Sequence, residues 1–150
     1  APQAPAPAAA ADGPMAGTPP STPPAPPCAG GQGMLAQRRW VVFGRGTNDI
    51  VRQLMDHLGS RGREVTHVDP YGASGDGVPK SFAELPEDVV VDVLNLCAKP
   101  AFGEMAVEEC KVRGVGNVFI QPGAASPRVL EACRAAGVAV HEGCVLREMP

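Results

Sequence analysis

The sequence predicts an α/β fold, an open sheet of five parallel strands with helices on both faces. Three observations carry that expectation. From Arg38 onward, short β-branched runs alternate with helical segments, the pattern of repeated βαβ units. Residues 89–96 are apolar almost without interruption, as a central strand covered on both faces must be. The first run, Trp40-Val41-Val42-Phe43, ends in Gly44 and Gly46 and is followed by a stretch with helical periodicity.

Residues 1–37 read as a separate Pro/Ala/Gly-rich arm, extended or disordered. Proline fixes φ and lacks an N–H, so such a segment favours irregular, polyproline-like backbone, and it is expected to contribute no core. Residues 38–150 form the domain. Strand one covers residues 39–43, and a helix capped by Asn48 or Asp49 runs to about Arg61, where Gly59 and Gly62 are stop signals. Strand two, residues 64–68, closes in Asp69-Pro70. After a Gly-rich loop to Lys80, Ser81-Phe82-Ala83-Glu84-Leu85-Pro86 forms a short capped turn. The strand over 89–96 leads to a helix over 101–113, then to strand four over 117–120. Ser126-Pro127 starts the next helix as a cap followed by proline at the first helical position, and Gly137 ends it before strand five, residues 138–141. A Rossmann-like sheet in the order 3-2-1-4-5 is expected.

Composition excludes several roles. The net charge is -3 with both signs interspersed, which leaves no basic footprint for nucleic acid and no polybasic membrane patch. No apolar run approaches the roughly 18 residues of a membrane span. The five cysteines form no CxxC pair, so they read as reduced thiols in an intracellular compartment. That compartment is the cytoplasm or an organelle matrix, mitochondrion or chloroplast, after removal of a targeting peptide. No Lys or Arg precedes Arg38, unlike a retained Arg-rich targeting peptide.

In parallel α/β sheets, ligands bind outside the carboxyl ends of the strands. The loops with unusual chemistry all follow strands. The turn Gly44-Arg45-Gly46-Thr47-Asn48-Asp49 offers backbone N–H groups and a helix N-terminus to a phosphate. Asp69 and Pro70 close strand two, Asn95 and Lys99 lie at and beyond the end of strand three, Gln121 and Gly123 follow strand four, and Cys144 follows strand five. The expected partner is a small nucleotide cofactor. Asp69 lies about 25 residues after Gly44, where an acidic residue would accept the ribose hydroxyls of NAD, so an NAD-binding module is one reading. Catalysis has no motif: there is no Gly-x-Ser-x-Gly elbow and no His pair at metal spacing, and the chain reads as a non-enzyme. His141 with Cys144 at the rim would make an activated thiolate in principle, but three residues across a strand-to-loop junction fix no distance, and for His141 a structural role outweighs a catalytic one.

The order of these elements resembles the CoA-binding domain family, the Rossmann-like domain at the N-terminus of the succinyl-CoA synthetase alpha subunit and of small stand-alone bacterial proteins. The likeness rests on Val41-Val42-Phe43-Gly44, on Glu64-Val65-Thr66-His67-Val68-Asp69-Pro70, and on Ser81-Phe82-Ala83-Glu84-Leu85-Pro86. It continues through Val91-Asp92-Val93-Leu94-Asn95, Ile120-Gln121-Pro122-Gly123-Ala124, and Ala136-Gly137-Val138-Ala139-Val140 before Cys144. The resemblance implies non-catalytic binding of coenzyme A or acyl-CoA, with the first turn taking the phosphates. The sequence departs from the family where phosphate would be held. The first turn is short and carries Asp49, Cys97-Ala98 stands where a Phe-Arg pair is common, and Gly143 replaces an arginine. These departures keep open a second reading, a ligand-depleted structural subunit of a large assembly whose arm, residues 1–37, lies on neighbouring chains.

Overall fold

A computed structural model describes residues 22–150. The five strands are β1 Arg39–Gly44, β2 Glu64–Val68, β3 Val93–Cys97, β4 Asn117–Ile120 and β5 Ala139–Glu142. The helices are α1 Gly31–Leu35, α2 Asp49–Ser60, α3 Pro100–Arg113, α4 Pro127–Ala136 and α5 Val145–Glu148, with a 3₁₀ turn at Phe82–Glu84. All strand pairs are parallel, and the order is β2-β1-β3-β4-β5.

The Rossmann-like parallel sheet is as expected, but its order corrects the expected 3-2-1-4-5. β3 pairs with β1 and β4 instead of lying outside β2. The physical reason is legible in the strands. Val93, Leu94, Asn95 and Leu96 are all fully buried, which requires a neighbour on each side as well as cover on both faces. β2 carries an exposed Glu64 and half-buried Val65, Thr66 and His67, the mixed pattern of an edge strand. The third strand also begins later than the apolar run, at Val93, because Asp92 turns its carboxylate to the amino ends of the strands.

Two cores flank the sheet. On one face Val41, Phe43, Leu94, Leu96, Val118 and Ile120 meet Ala106, Val107 and Cys110 of α3 and Val129 and Cys133 of α4. On the other, Trp40, Val42, Val93 and Phe119 meet Val51, Leu54 and Leu58 of α2, Val145 of α5, and Met34 and Leu35 of α1. The alternate residues of each strand thus face opposite layers, as the two-residue period of a strand demands. Helix ends follow their sequence signals. The Ser126 hydroxyl accepts from Val129 N–H at 3.1 Å, and Gly114 and Gly137 end α3 and α4 at φ 72° and 74°.

The expectation that nothing before Arg38 contributes to the core is corrected by α1, whose Met34 and Leu35 are buried. The segment leading to it is also held. Asp92 Oδ1 accepts from Ala25 N–H at 2.8 Å, and Asn117 Oδ1 accepts from Cys28 N–H at 2.7 Å. Asn117 Nδ2 donates to Pro26 O at 3.1 Å, and Arg39 donates to the carbonyls of Thr22 and Pro23 at 2.8 and 2.9 Å. A proline-rich strand that cannot form a sheet ladder is therefore fixed by side chains at the amino ends of β1, β3 and β4. Arg39 and Asp92 form a two-point pair, both contacts 2.9 Å. Burial alone would raise the Asp92 pKa, but hydrogen bonds from Arg39 and from the Ala25 and Arg39 amides outweigh it and hold the carboxyl below its ordinary value.

Candidate functional site

The carboxyl ends of β1, β3 and β4 surround a cleft of about 270 Å³, lined by Asn48, Tyr71, Cys97, Ala98, Lys99, Pro100, Pro122, Gly123 and Ala124. Four loops meet there, as the parallel topology requires. Of the residues singled out from sequence, Asn48, Lys99 and Gly123 line the cleft, and Gly123 turns at φ 88°.

Asn48 caps α2. Its Oδ1 accepts from the N–H groups of Ile50 at 2.8 Å and Val51 at 3.3 Å. Two of the free donors at that helix end are thereby used by the chain itself. Gly46 N–H is used as well, donating to Asp69 Oδ2 at 3.0 Å. A Cβ at Gly46 would run into Ser74 Oγ, and His67 Cε1 would lie 3.1 Å away. The second glycine of the turn therefore makes room for the chain's own loop. Gly44 has a related reason: a Cβ there would lie 2.6 Å from the Cys97 carbonyl and 2.7 Å from Val51 Cγ2. It lets β3 and α2 close on β1. Thr47 is exposed beside them.

Asp69 is fully buried, and both its oxygens are engaged. Oδ2 takes the Ser74 hydroxyl at 2.6 Å in addition to Gly46, and Oδ1 takes Tyr71 N–H at 2.9 Å. Burial opposes its ionisation, yet the hydrogen bonds from Ser74, Gly46 and Tyr71, with His67 nearby, outweigh it and hold the pKa below the ordinary value. This carboxylate staples the first turn to the loop after β2, beside a half-buried Pro70.

Asn95 and Gln121 lie in the core below the cleft. Gln121 Nε2 donates to Asn95 Oδ1 at 2.8 Å, leaving Asn95 Nδ2 and Gln121 Oε1 unpartnered among the described residues. Cys144 caps α5 outside the cleft wall, its N–H donating to Glu148 Oε2 at 3.0 Å. His141 Nε2 donates to Glu148 Oε1 at 2.8 Å, so it is spent on a carboxylate and not on the Cys144 thiol. Burial, with the nearby Cys144, pushes the Cys97 thiol up, which keeps this cleft residue protonated.

Sequence reasoning missed how much of the wall Tyr71 supplies. Its hydroxyl accepts from Lys99 N–H at 2.9 Å, its ring meets Phe102 edge-on at 4.7 Å, and the Arg45 guanidinium stands 4.2 Å over its centroid. The available signal was that the only tyrosine in the chain follows a strand end. Arg45 is thus not paired with Asp49, which pairs with Arg52.

A parallel sheet of this order, with a cleft at its strand ends, defines a Rossmann-like domain. The chain belongs to the CoA binding domain family, which matches residues 38–150. A conserved hypothetical protein from Pyrococcus furiosus is similar in structure, with a TM-score of 0.63 and 29% identity over 75% of this chain and 99% of its own. A hypothetical protein from Pyrococcus horikoshii aligns at TM-score 0.65 and 20% identity, covering 78% of this chain and 85% of its own. A Thermus thermophilus protein aligns at 0.64 and 22%, covering 79% and 92%. At those identities the last two share the fold. No curated protein matches the sequence.

Proposed function

We propose that the protein binds coenzyme A or an acyl-CoA without transforming it, in the cleft between Asn48, Tyr71, Lys99 and Gly123. The observation that carries this reading is the place of that cleft, at the carboxyl ends of β1, β3 and β4 in a member of the CoA binding domain family. A non-catalytic role is supported by the raised pKa of Cys97, which leaves the half-buried thiol in the cleft a poor nucleophile. The NAD reading has less support, because Asp69 is fully buried and both its oxygens already accept hydrogen bonds within the chain.

The test is thermal unfolding of the full chain with CoA, acetyl-CoA or NAD. A ligand at 100 times its dissociation constant adds about 2.7 kcal/mol to stability. CoA or acetyl-CoA is expected to raise the melting temperature and NAD to leave it unchanged. An unchanged melting temperature in millimolar CoA refutes the reading.

A second reading, a structural subunit that no longer binds nucleotide, is favoured by one specific observation. The first-turn donors at Gly46, Ile50 and Val51 are all satisfied internally. That reading expects no melting shift and co-purification with a large assembly through residues 1–37.

A further inference from the structure

The internal use of the first-turn amides raises the question of what would hold a phosphate in this cleft. Gly46 N–H serves Asp69, and the N–H groups of Ile50 and Val51 serve Asn48. Backbone donors of the kind that usually cradle phosphate at a strand-to-helix turn are largely spent. A cation must do more of the work, and Arg45 stands over the ring of Tyr71, which lines the cleft.

We propose that Tyr71 is a positioning residue that holds the Arg45 guanidinium as the anion-reading fork of the cleft, so that a side chain recognises the phosphate-bearing end of the ligand. This rests on the CoA reading above. The geometry is specific. Arg45 lies 4.2 Å over the Tyr71 ring, a cation–π contact, and among the described residues no hydrogen bond or ion pair takes its N–H groups. The nearest acidic neighbour in sequence, Asp49, is taken by Arg52. An exposed arginine otherwise samples many rotamers, and stacking removes much of that freedom before a ligand arrives.

Tyr71 is itself fixed from three directions. Its N–H donates to Asp69 Oδ1 at 2.9 Å, its hydroxyl accepts from Lys99 N–H at 2.9 Å, and its ring sits against Phe102 at 4.7 Å. One aromatic side chain therefore ties the first turn, the loop after β2 and the start of α3 into a single wall. It also sets Arg45 on the same wall as Lys99. A planar guanidinium binds two phosphate oxygens at once, which a lysine does not.

The experiment measures CoA and pantetheine binding to the full chain by calorimetry, alongside Arg45→Ala, Arg45→Lys, Tyr71→Leu and the double variant Arg45→Ala with Tyr71→Leu. Pantetheine has the same arm and no phosphate. Arg45→Ala is expected to weaken CoA about tenfold and to leave pantetheine unchanged. Tyr71→Leu should weaken CoA by at least a comparable factor, and that loss should shrink in the Arg45→Ala background, because Tyr71 acts in part through Arg45. Arg45→Lys, an exposed change that leaves the core untouched, should lose most of the same factor. Full CoA affinity in Arg45→Lys overturns the inference alone. So does a Tyr71→Leu loss of CoA affinity that is as large in the Arg45→Ala background as in the wild-type chain. Binding of neither compound to the folded wild-type chain overturns the CoA reading itself, and this inference with it.

Discussion

Gly46 N–H donates to Asp69 Oδ2 at 3.0 Å, and the same carboxylate oxygen takes the Ser74 hydroxyl at 2.6 Å. The turn after β1 is thereby closed onto the loop after β2 by an ionised, fully buried group. Asp69→Ala removes the acceptor and leaves the donors of Gly46, Tyr71 and Ser74 unpaired, at a cost of about 1–3 kcal/mol each when buried. The variant is expected to lose at least about 3 kcal/mol in urea unfolding, far more than an exposed substitution such as Asp76→Ala.

Asp69 and Asp92 make stability fall in acid. Both folded-state pKa values lie below the ordinary carboxylate value, so the unfolded chain binds more protons through that range. Their stabilisation is fully present above about pH 4 and is lost as pH falls below it through the lower folded values. Denaturant unfolding at stepped pH should show this acid limb. In Asp92→Asn the limb should be shallower and stability at neutral pH lower by about 3 kcal/mol, because Arg39 is left without its partner.

The stretch before Arg38 should matter to the domain even though the family match begins there. Removing Met34 and Leu35 strips two buried side chains from the α2 face of the sheet, and truncation of one such side chain costs about 2–5 kcal/mol. A chain starting at Arg38 is expected to melt more than about 10 °C below the full chain. Equal melting temperatures would show that α1 and the preceding segment add nothing.

Gly44→Val should disrupt the fold and not merely block a ligand, since its side chain would meet the Cys97 backbone and Val51. The expected outcome is insoluble or unfolded protein by circular dichroism.

Thiol accessibility should follow burial. Cys110 and Cys133 are fully buried; burial drives the Cys110 pKa far up and pushes that of Cys133 up to about 11. In the native protein an aromatic disulfide reagent should label Cys28 and Cys144 first and reach Cys110 and Cys133 only on unfolding.

The fold was legible because its signals are local. The Ser126-Pro127 cap, the Gly44 turn and the apolar run into β3 each fix an element without reference to the rest of the chain. Sheet order was not, because it depends on which strand buries both edges. Yet the apolar run over 89–96, read as a central strand, already pointed away from an order that would put it at the edge. Asn48, Lys99 and Gly123, singled out from their positions after strands, all line the cleft. For Asp69, a sequence shows a carboxylate at a strand end but not the Ser74 hydroxyl and the two amides that enclose it. The contribution of α1 was hidden by its setting. Met34 and Leu35 lie within a glycine- and proline-rich stretch, and side chains further along the chain, Arg39, Asp92 and Asn117 among them, hold that stretch in place.

The central claim is that the cleft between Asn48, Tyr71, Lys99 and Gly123 receives coenzyme A, and calorimetric titration of the folded full chain with CoA tests it most directly. The account predicts saturable binding of one CoA per chain, weakened by Arg45→Ala. Absence of heat and of any melting shift at millimolar CoA, in protein that unfolds cooperatively, would contradict it.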